Sequence, residues 1–245
     1  MPENRDMSKD HGLAAGRSSR LPRFLQPAYI DEGRFIVQAP VFQRLLKDIQ
    51  LCGPCLNAGC GELMYFDWLD ALPGLTQVVH LDVTANAAEG VRGNQRHISV
   101  PGSLTELPFP DGSFQFVFCT EVLEHILDHH KAVAEINRVL VPGGLALIST
   151  PTPPAPFDPN HVREGYRLEE MNELLKSHGL TILQHRYTFY FLFRAFYVTW
   201  SRLTRLRRGV SAVPRLVVRG WCRLETMFPF GKPWDIAVLA TKDER

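Results

Sequence analysis

Apolar and polar positions along the chain follow two periods that take turns. Val41, Leu45, Leu46 and Ile49 recur at helical spacing and predict an amphipathic helix over residues 41–49. Short apolar runs then alternate with helical patterns. Strands are predicted at 56–58, 78–82, 98–100, 114–119, 145–149, 180–187 and 236–241, and helices at 122–140 and 168–178. Pro142-Gly143-Gly144 cannot continue a helix and Gly179 closes the later one, so both helices carry a stop signal. Strands separated by helices in this order predict an α/β fold, a doubly wound, seven-stranded, mostly parallel sheet. In such sheets ligands bind beyond the carboxyl ends of the strands. The proline-rich stretch 150–159, leaving the fifth strand, is therefore a candidate substrate loop.

Composition refines this picture without redirecting it. A chain of 245 residues, 45% of them hydrophobic, suits one α/β domain, predicted here over 26–245 behind a flexible tail at 1–25. The tail is rich in charge, Ser and Gly and lacks the apolar run of an export signal, and the cytoplasm is the expected compartment. The most apolar later run, 189–200, is broken by Arg194 and is far short of the roughly 20 residues that span a bilayer. Five cysteines, an odd count, fit reduced thiols. Cys52-Gly53-Pro54-Cys55 has the spacing of a redox pair, but it precedes the first predicted strand instead of opening a helix after it, and no redox role is expected.

Candidate chemistry gathers where strands end. Asn57-Ala58-Gly59-Cys60-Gly61 sits at a strand-to-helix turn, where glycines let the backbone approach a ligand closely, although such a turn can also serve packing alone. Asp82 ends the next strand, 21 residues beyond Gly61, where a carboxylate can accept from both hydroxyls of a ribose or, alternatively, cap a helix.

These residues belong to a longer ordered series. Leu56-Asn-Ala-Gly-Cys-Gly-Glu62, His80-Leu-Asp82, Leu107-Pro-Phe-Pro-Asp-Gly-Ser-Phe114, Glu121-Val-Leu-Glu-His125, Arg138-Val-Leu-Val-Pro-Gly-Gly144 and Ser149-Thr-Pro151 follow one another as in class I S-adenosylmethionine-dependent methyltransferases of the type 11 kind. The chain resembles that family over roughly 56–180, and a dinucleotide-binding dehydrogenase would not be expected to show the later stations. The resemblance implies S-adenosylmethionine as cofactor. Gly59 and Gly61 would face its methionine part within the loop Asn57, Ala58, Cys60. Asp82, with Val83 beside it, would hold the ribose, and Ser103-Leu104 would lie along the adenine. Thr120 and Glu121 would line the floor near the sulfonium. Three residues depart from the family pattern. Asn57 stands where an acid is usual, Leu63 where a third glycine is usual, and Gln115 where an Asp commonly follows the Phe.

Methyl transfer is an in-line displacement, so catalysis rests on alignment, with a base needed only if the acceptor must lose a proton. Glu121, Glu124 and His125, at i, i+3 and i+4, are expected on one face of a helix start, with His125 the candidate base and His161 joining from the loop after the fifth strand. Glu121 or Glu124 could instead cap the helix or orient the histidine. Two carboxylates and two imidazoles would also suit a divalent metal, resembling magnesium-dependent RNA 2′-O-methyltransferases and some quinone O-methyltransferases, but no metal is expected to be required.

Residues 188–234 form a long insertion before the last strand, expected as a basic, aromatic helical cap. Nine of the chain's 27 basic residues, all arginine, fall between Arg186 and Arg223 with no acid among them, although the formal charge of the whole chain is only +1. On a helix, Phe189, Phe193, Phe196, Trp200 and Leu203 share one face, while Arg194, Arg202, Arg205 and Arg208 share the other. The expected activity is methylation of an oxygen on a small lipophilic or lipid-linked acceptor, such as a quinone, isoprenoid or glycan precursor. The insertion would dock peripherally on an anionic inner membrane face, with nucleic acid ranked lower as a partner. The alternatives are a metal-assisted RNA 2′-O-methyltransferase and a cofactor-binding accessory protein without turnover.

Overall fold

A computed structural model describes residues 30–84, 91, 94–155, 158–206 and 215–244, with backbone only at 30–32, 200–206 and 215. The proposed tail at 1–25 lies outside the described residues, as do Arg207 and Arg208. Seven strands form one sheet: β1 (Gly53–Ala58), β2 (Leu75–Asp82), β3 (His97–Pro101), β4 (Phe114–Thr120), β5 (Leu140–Pro151), β6 (Leu180–Thr188) and β7 (Asp235–Lys242). Their order is β3-β2-β1-β4-β5-β7-β6, and only β7 runs antiparallel to its neighbours. The observed sheet is thus the mostly parallel, doubly wound one predicted from the alternation.

The central strands are apolar in unbroken runs because both of their faces are covered. In β4, Phe116 and Phe118 face a cluster with Phe42, Leu45, Tyr65 and Leu69, while Val117 and Cys119 face the other side with Ile136, Met171 and Leu175. The first cluster is supplied by α1 (Ile30–Leu45) and α2 (Phe66–Asp70), the second by α3 (His129–Val139) and α4 (Leu168–Ser177). At the edge, β6 alternates between covered and exposed positions, as a strand with one wet side should.

Several boundaries differ from expectation for local reasons. The first helix runs over Ile30–Leu45, with Pro40 inside it, and only turns follow where the apolar spacing suggested helix to residue 49. The helix expected over 122–140 is split. A single 3-10 turn at Leu123–His125 gives way to an extended Ile126, and α3 begins at His129, where the Asp128 side chain accepts from Lys131 N at 3.1 Å. Two more helices, α5 (Phe191–Leu206) and α6 (Arg215–Met227), fill the insertion between β6 and β7. Glu225 of α6, buried, accepts from the backbone N–H groups of Tyr190 and Phe193 and so caps the start of α5. Phe189, Phe193 and Phe196 pack inward on Val37, Val218, Cys222 and Trp234. The described aromatic residues of that predicted face are therefore covered by protein.

Candidate active site

Two adjoining structures occupy the carboxyl ends of the strands. The first is the glycine turn. Gly59 N and Cys60 N both donate to Leu81 O, tying the end of β1 to β2, and Gly61 N donates to Asp82 Oδ2 at 2.8 Å. Asp82 Oδ1 accepts from Thr84 N and Thr84 Oγ1, each at 2.9 Å. Asp82 therefore braces the turn while standing at the tip of β2. Gly59 (φ 73°) needs to be glycine because a Cβ there would lie 2.4 Å from Val122 Cγ2, whereas a Cβ on Gly61 (φ 48°) would meet nothing within 4 Å. The outer side of the turn is thus open, with a carboxylate at one end, which fits a nucleoside-containing ligand. Val83 is exposed beside Asp82, while Gly102 N donates to Asp82 O and places Ser103 and the buried Leu104 next along the same edge.

Leu63 sits in a turn at φ 62°, a backbone region that favours the glycine usual there; a side chain in this region costs about 1–2 kcal/mol. Gln115 lies at the start of β4, the opposite end of the strand from the site. Asn57 is buried and leads a relay: Asn57 Nδ2 lies 3.0 Å from His80 Nδ1, His80 Nε2 lies 2.8 Å from His97 Nδ1, and His97 Nε2 lies 3.0 Å from Asp70 Oδ1. The carboxylate can only accept, so each link donates toward Asp70 and Asn57 must supply an N–H. An ionised acid at 57 would have no proton to give. Burial, then the neighbouring His97, lower the His80 pKa to about 4.

The second structure is a cavity of about 160 Å³ lined by α1, the end of β4, the loop after β5, α5 and the start of β7. Aromatic side chains of Phe189, Phe193, Tyr197 and Trp234 form one wall, and the Arg194 guanidinium stacks on Trp234, 4.5 Å from its ring centre. Glu121, at φ 55°, lines the cavity and precedes Val122, the residue against which Gly59 of the glycine turn packs. Arg34 Nη2 donates to Glu121 Oε2 at 2.6 Å, and Ser149 Oγ at 2.8 Å and Gln38 Nε2 at 3.3 Å donate to its Oε1. Burial opposes ionisation of Glu121, but the Arg34 guanidinium and these donors hold its carboxyl below the usual range. Asp235, buried beside it, is pushed well above that range by burial and by the Glu121 charge, and Thr188 Oγ1 donates to its Oδ1 at 3.0 Å.

The polar corner of the cavity consists of Glu124, His125 and His161. The loop carrying His161 is tied to the 3-10 turn by Val162 N donating to Glu124 O at 3.0 Å and by Arg163 donating to the carbonyls of Leu123, Ile126 and Leu127. Glu124 is fully buried, and neither carboxylate oxygen has a hydrogen-bond partner. Burial and the nearby Glu121 charge raise its pKa well above the usual value. The split leaves His125 in the 3-10 turn and not on the face of an α-helix start where the spacing placed it. Its Nδ1 lies 3.1 Å from Asn160 O, a group that only accepts, so Nδ1 bears hydrogen, and Nε2 lies 3.8 Å from Glu124 Oε1. His161 packs edge-on to His125 with ring centres 4.7 Å apart, and burial, followed by His125, lowers its pKa. Thr120, at the end of β4, pairs with Ser149 of β5 and leads into Glu121.

Arg34, Gln38, Tyr197, Trp234 and Asp235 were not singled out from the sequence; the helical i, i+4 pairing of Arg34 with Gln38 was the only local sign of the first two. The Cys52–Cys55 pair is no redox centre in form. Cys52 is exposed, whereas Cys55 is buried within β1, where burial raises its thiol pKa strongly.

A methyltransferase domain model matches residues 56–148, which hold the glycine turn, Asp82 and Glu121. An S-adenosylmethionine-dependent methyltransferase of Mycobacterium tuberculosis is 34% identical over 202 residues, 77% of this chain and 67% of that one. The chain belongs to the S-adenosylmethionine-dependent methyltransferases. Another member, from Mycolicibacterium smegmatis, is 35% identical over 52% of this chain, which spans about half (51%) of that relative's length. The demethylmenaquinone methyltransferase of Staphylococcus carnosus is 31% identical over 51% of this chain and 54% of its own. Among solved structures, the Burkholderia thailandensis 1,6-didemethyltoxoflavin-N1-methyltransferase, with S-adenosylhomocysteine bound, aligns at a TM-score of 0.54 and 16% identity, covering 85% of this chain and 78% of that one. The [4+2]-cyclase SpnF aligns at 0.57 and 19% identity, covering 84% and 81%. At such identities the structural matches speak for the fold alone.

Proposed function

We infer that this methyltransferase acts on an oxygen atom of a lipophilic, ring-bearing acceptor of the quinone or isoprenoid kind. The observation that carries this reading is the cavity itself, lined by the aromatic residues Phe189, Phe193, Tyr197 and Trp234 and by the polar residues Glu121, Glu124, His125 and His161. An apolar ring suits the wall, and a hydroxyl suits the corner. S-adenosylmethionine supplies an electrophilic methyl group when bound, with Gly59, Gly61, Asp82 and the Ser103 edge as its holders. The chain's own contribution is alignment. The aromatic wall fixes the acceptor ring, and the Arg34–Glu121 pair is braced by Ser149 and Gln38, so the acceptor is held in line without a covalent step. The relative that acts on demethylmenaquinone supports the acceptor class by its name.

The surface supports access from a membrane. No described helix is long and apolar enough to cross one. Yet α6 turns Val217, Trp221 and Leu224 outward at helical spacing, with Met227 at its end, Phe228, Phe230 and Phe191 exposed nearby, and Arg219 and Arg223 exposed on the same helix. An apolar stripe on a helix that also carries exposed arginines suits an anionic lipid surface. This face, not the buried aromatic face of α5, is the one the reading uses.

Transfer of labelled methyl from S-adenosylmethionine into a cell lysate, fractionated into lipid, nucleic acid and protein, tests the acceptor. Label in the lipid fraction supports the reading, and label confined to nucleic acid or protein overturns it. Flotation with anionic vesicles tests the surface: Trp221→Asp combined with Leu224→Asp should lose most of the bound fraction, and unchanged flotation would count against α6.

A further inference from the structure

We propose that a second cavity, between α1, β6 and the end of α6, binds the phosphate-bearing head of an anionic lipid. This cavity measures about 290 Å³, against about 160 Å³ for the acceptor cavity, and the two share no lining residue. Small-molecule pockets begin near about 300 Å³.

The charge of the lining selects an anion. Arg44 of α1 and Arg186 of β6 both line the cavity, with His185 beside Arg186. Arg186 Nη1 donates to His185 O at 3.2 Å, and among the described residues neither guanidinium belongs to an ion pair. Glu225, the acid of the lining, is committed elsewhere. It is buried, its oxygens accept from Tyr190 N and Phe193 N, and burial raises its carboxyl pKa against the opposing pull of backbone N–H groups, with no arginine contributing. Guanidinium forks bind phosphate oxygens in pairs and give up their hydration cheaply. A phosphate monoester offers the two arginines three oxygens and nearly two charges, whereas a carboxylate offers two oxygens and one charge.

The rest of the lining selects a lipid. Val37, Val41, Tyr187 and Tyr190 supply an apolar floor for the carbons attached to the phosphate. Thr226 and Pro229 close the cavity beside the exposed Met227, Phe228 and Phe230, so the arginines stand next to the face already assigned to lipid contact. The lipid source of the phosphate rests on that reading of α6; the phosphate site itself does not. Thr188 lines this cavity while its Oγ1 donates to Asp235 Oδ1 in the wall of the acceptor cavity, so the Thr188–Asp235 contact is a partition between them. A headgroup held here would keep the acceptor cavity at the lipid surface.

The test uses the full chain with a soluble probe and a membrane probe. Monomeric dihexanoyl phosphatidic acid and inorganic phosphate are titrated by calorimetry, and flotation uses vesicles of four parts phosphatidylcholine to one part phosphatidic acid or of phosphatidylcholine alone. One equivalent of the short-chain lipid should bind, at least about 10-fold tighter than inorganic phosphate, which gains nothing from the apolar floor. Arg44→Gln combined with Arg186→Gln should weaken that binding at least about 10-fold through loss of charge-assisted hydrogen bonds. Its S-adenosylhomocysteine affinity should be unchanged, which shows that the variant folds. Trp221→Asp combined with Leu224→Asp should lose flotation yet keep short-chain lipid binding, so failure of the α6 face and failure of the pocket are read separately. Absence of short-chain lipid binding by wild type overturns the proposal, as does equal binding by the arginine variant or equal affinity for inorganic phosphate. Short-chain binding without preference for the phosphatidic acid vesicles overturns the lipid source in favour of a soluble phosphate ester.

Discussion

The buried Asn57–His80–His97–Asp70 relay makes the stability of this protein depend on pH in a calculable way. His80 is fully buried, its Nδ1 accepts from Asn57 and its Nε2–H donates to His97, so a second ring proton would have no acceptor. Its pKa is lowered from 6.5 to about 4, first by burial and then by His97. Because the folded value lies below the unfolded one, the unfolded chain takes up the proton first as pH falls. Stability from His80 is complete above about pH 6.5 and drains away toward pH 4, at about 1.4 kcal/mol per pH unit. The full loss is about 3 kcal/mol, a large share of the 5–15 kcal/mol of an ordinary domain. Glu124 and Asp235, whose pKa values are raised, have the opposite slope, so the measurement must be a difference. Urea midpoints of wild type and His80→Gln between pH 4.5 and 8 supply it, since the carboxylates are common to both. The stability advantage of wild type over His80→Gln should shrink by about 2 kcal/mol from pH 7.5 to pH 5. A difference that stays flat, or that widens as pH falls, would refute the account of a neutral, doubly bonded His80.

Gly59→Ala should weaken S-adenosylhomocysteine binding by at least about 10-fold by calorimetry, because the new Cβ would lie 2.4 Å from Val122 Cγ2 in a left-handed backbone; adding Val122→Ala should restore part of it. Asp82→Ala removes the acceptor of both the Gly61 and Thr84 N–H groups and should cost at least about 10-fold in the same assay, leaving the unfolding free energy from urea titration within about 1 kcal/mol of wild type. Gly165→Ala should destabilise the fold by more than about 2 kcal/mol, since its Cβ would stand 1.9 Å from Pro151 O and break the Tyr166 N–Pro151 O bond that seats the cavity loop. Asn57→Asp should lower thermal stability at pH 8 by about 1–3 kcal/mol, the cost of an unpaired buried group, because an ionised acid cannot donate to His80.

The elements of the sheet were legible because their signals are local. Phe114 to Thr120 reads as a buried strand from its own residues, and the turn Asn57 to Gly61 announces its position by glycines that lie at positive φ. The stretch 122–140 misled because the helical spacing of Glu121, Glu124 and His125 carries no information about the backbone at Glu121 itself, which lies at φ 55° and breaks the helix before it starts. The direction of α5's aromatic residues was legible as a stripe, but what the stripe faces was not. Periodicity states that Phe193 and Phe196 share a side, whereas Val37, Val218, Cys222 and Trp234, which cover that side, come from three other segments.

The amino-acid sequence alone determined the strand order signals, the glycine turn with Asp82, and the family, since each depends on residues near one another along the chain or on an ordered series of them. Only the tertiary structure decided what those residues meet. It brought Arg34 against Glu121 across 87 positions and set His161 beside Glu124 and His125 through a loop pinned by Val162 and Arg163. It also turned the substitution at Asn57 into the first donor of a relay reaching Asp70. The physical reason is that charge pairing, burial and hydrogen-bond direction depend on distances in space, and those distances exist only once the sheet has assembled.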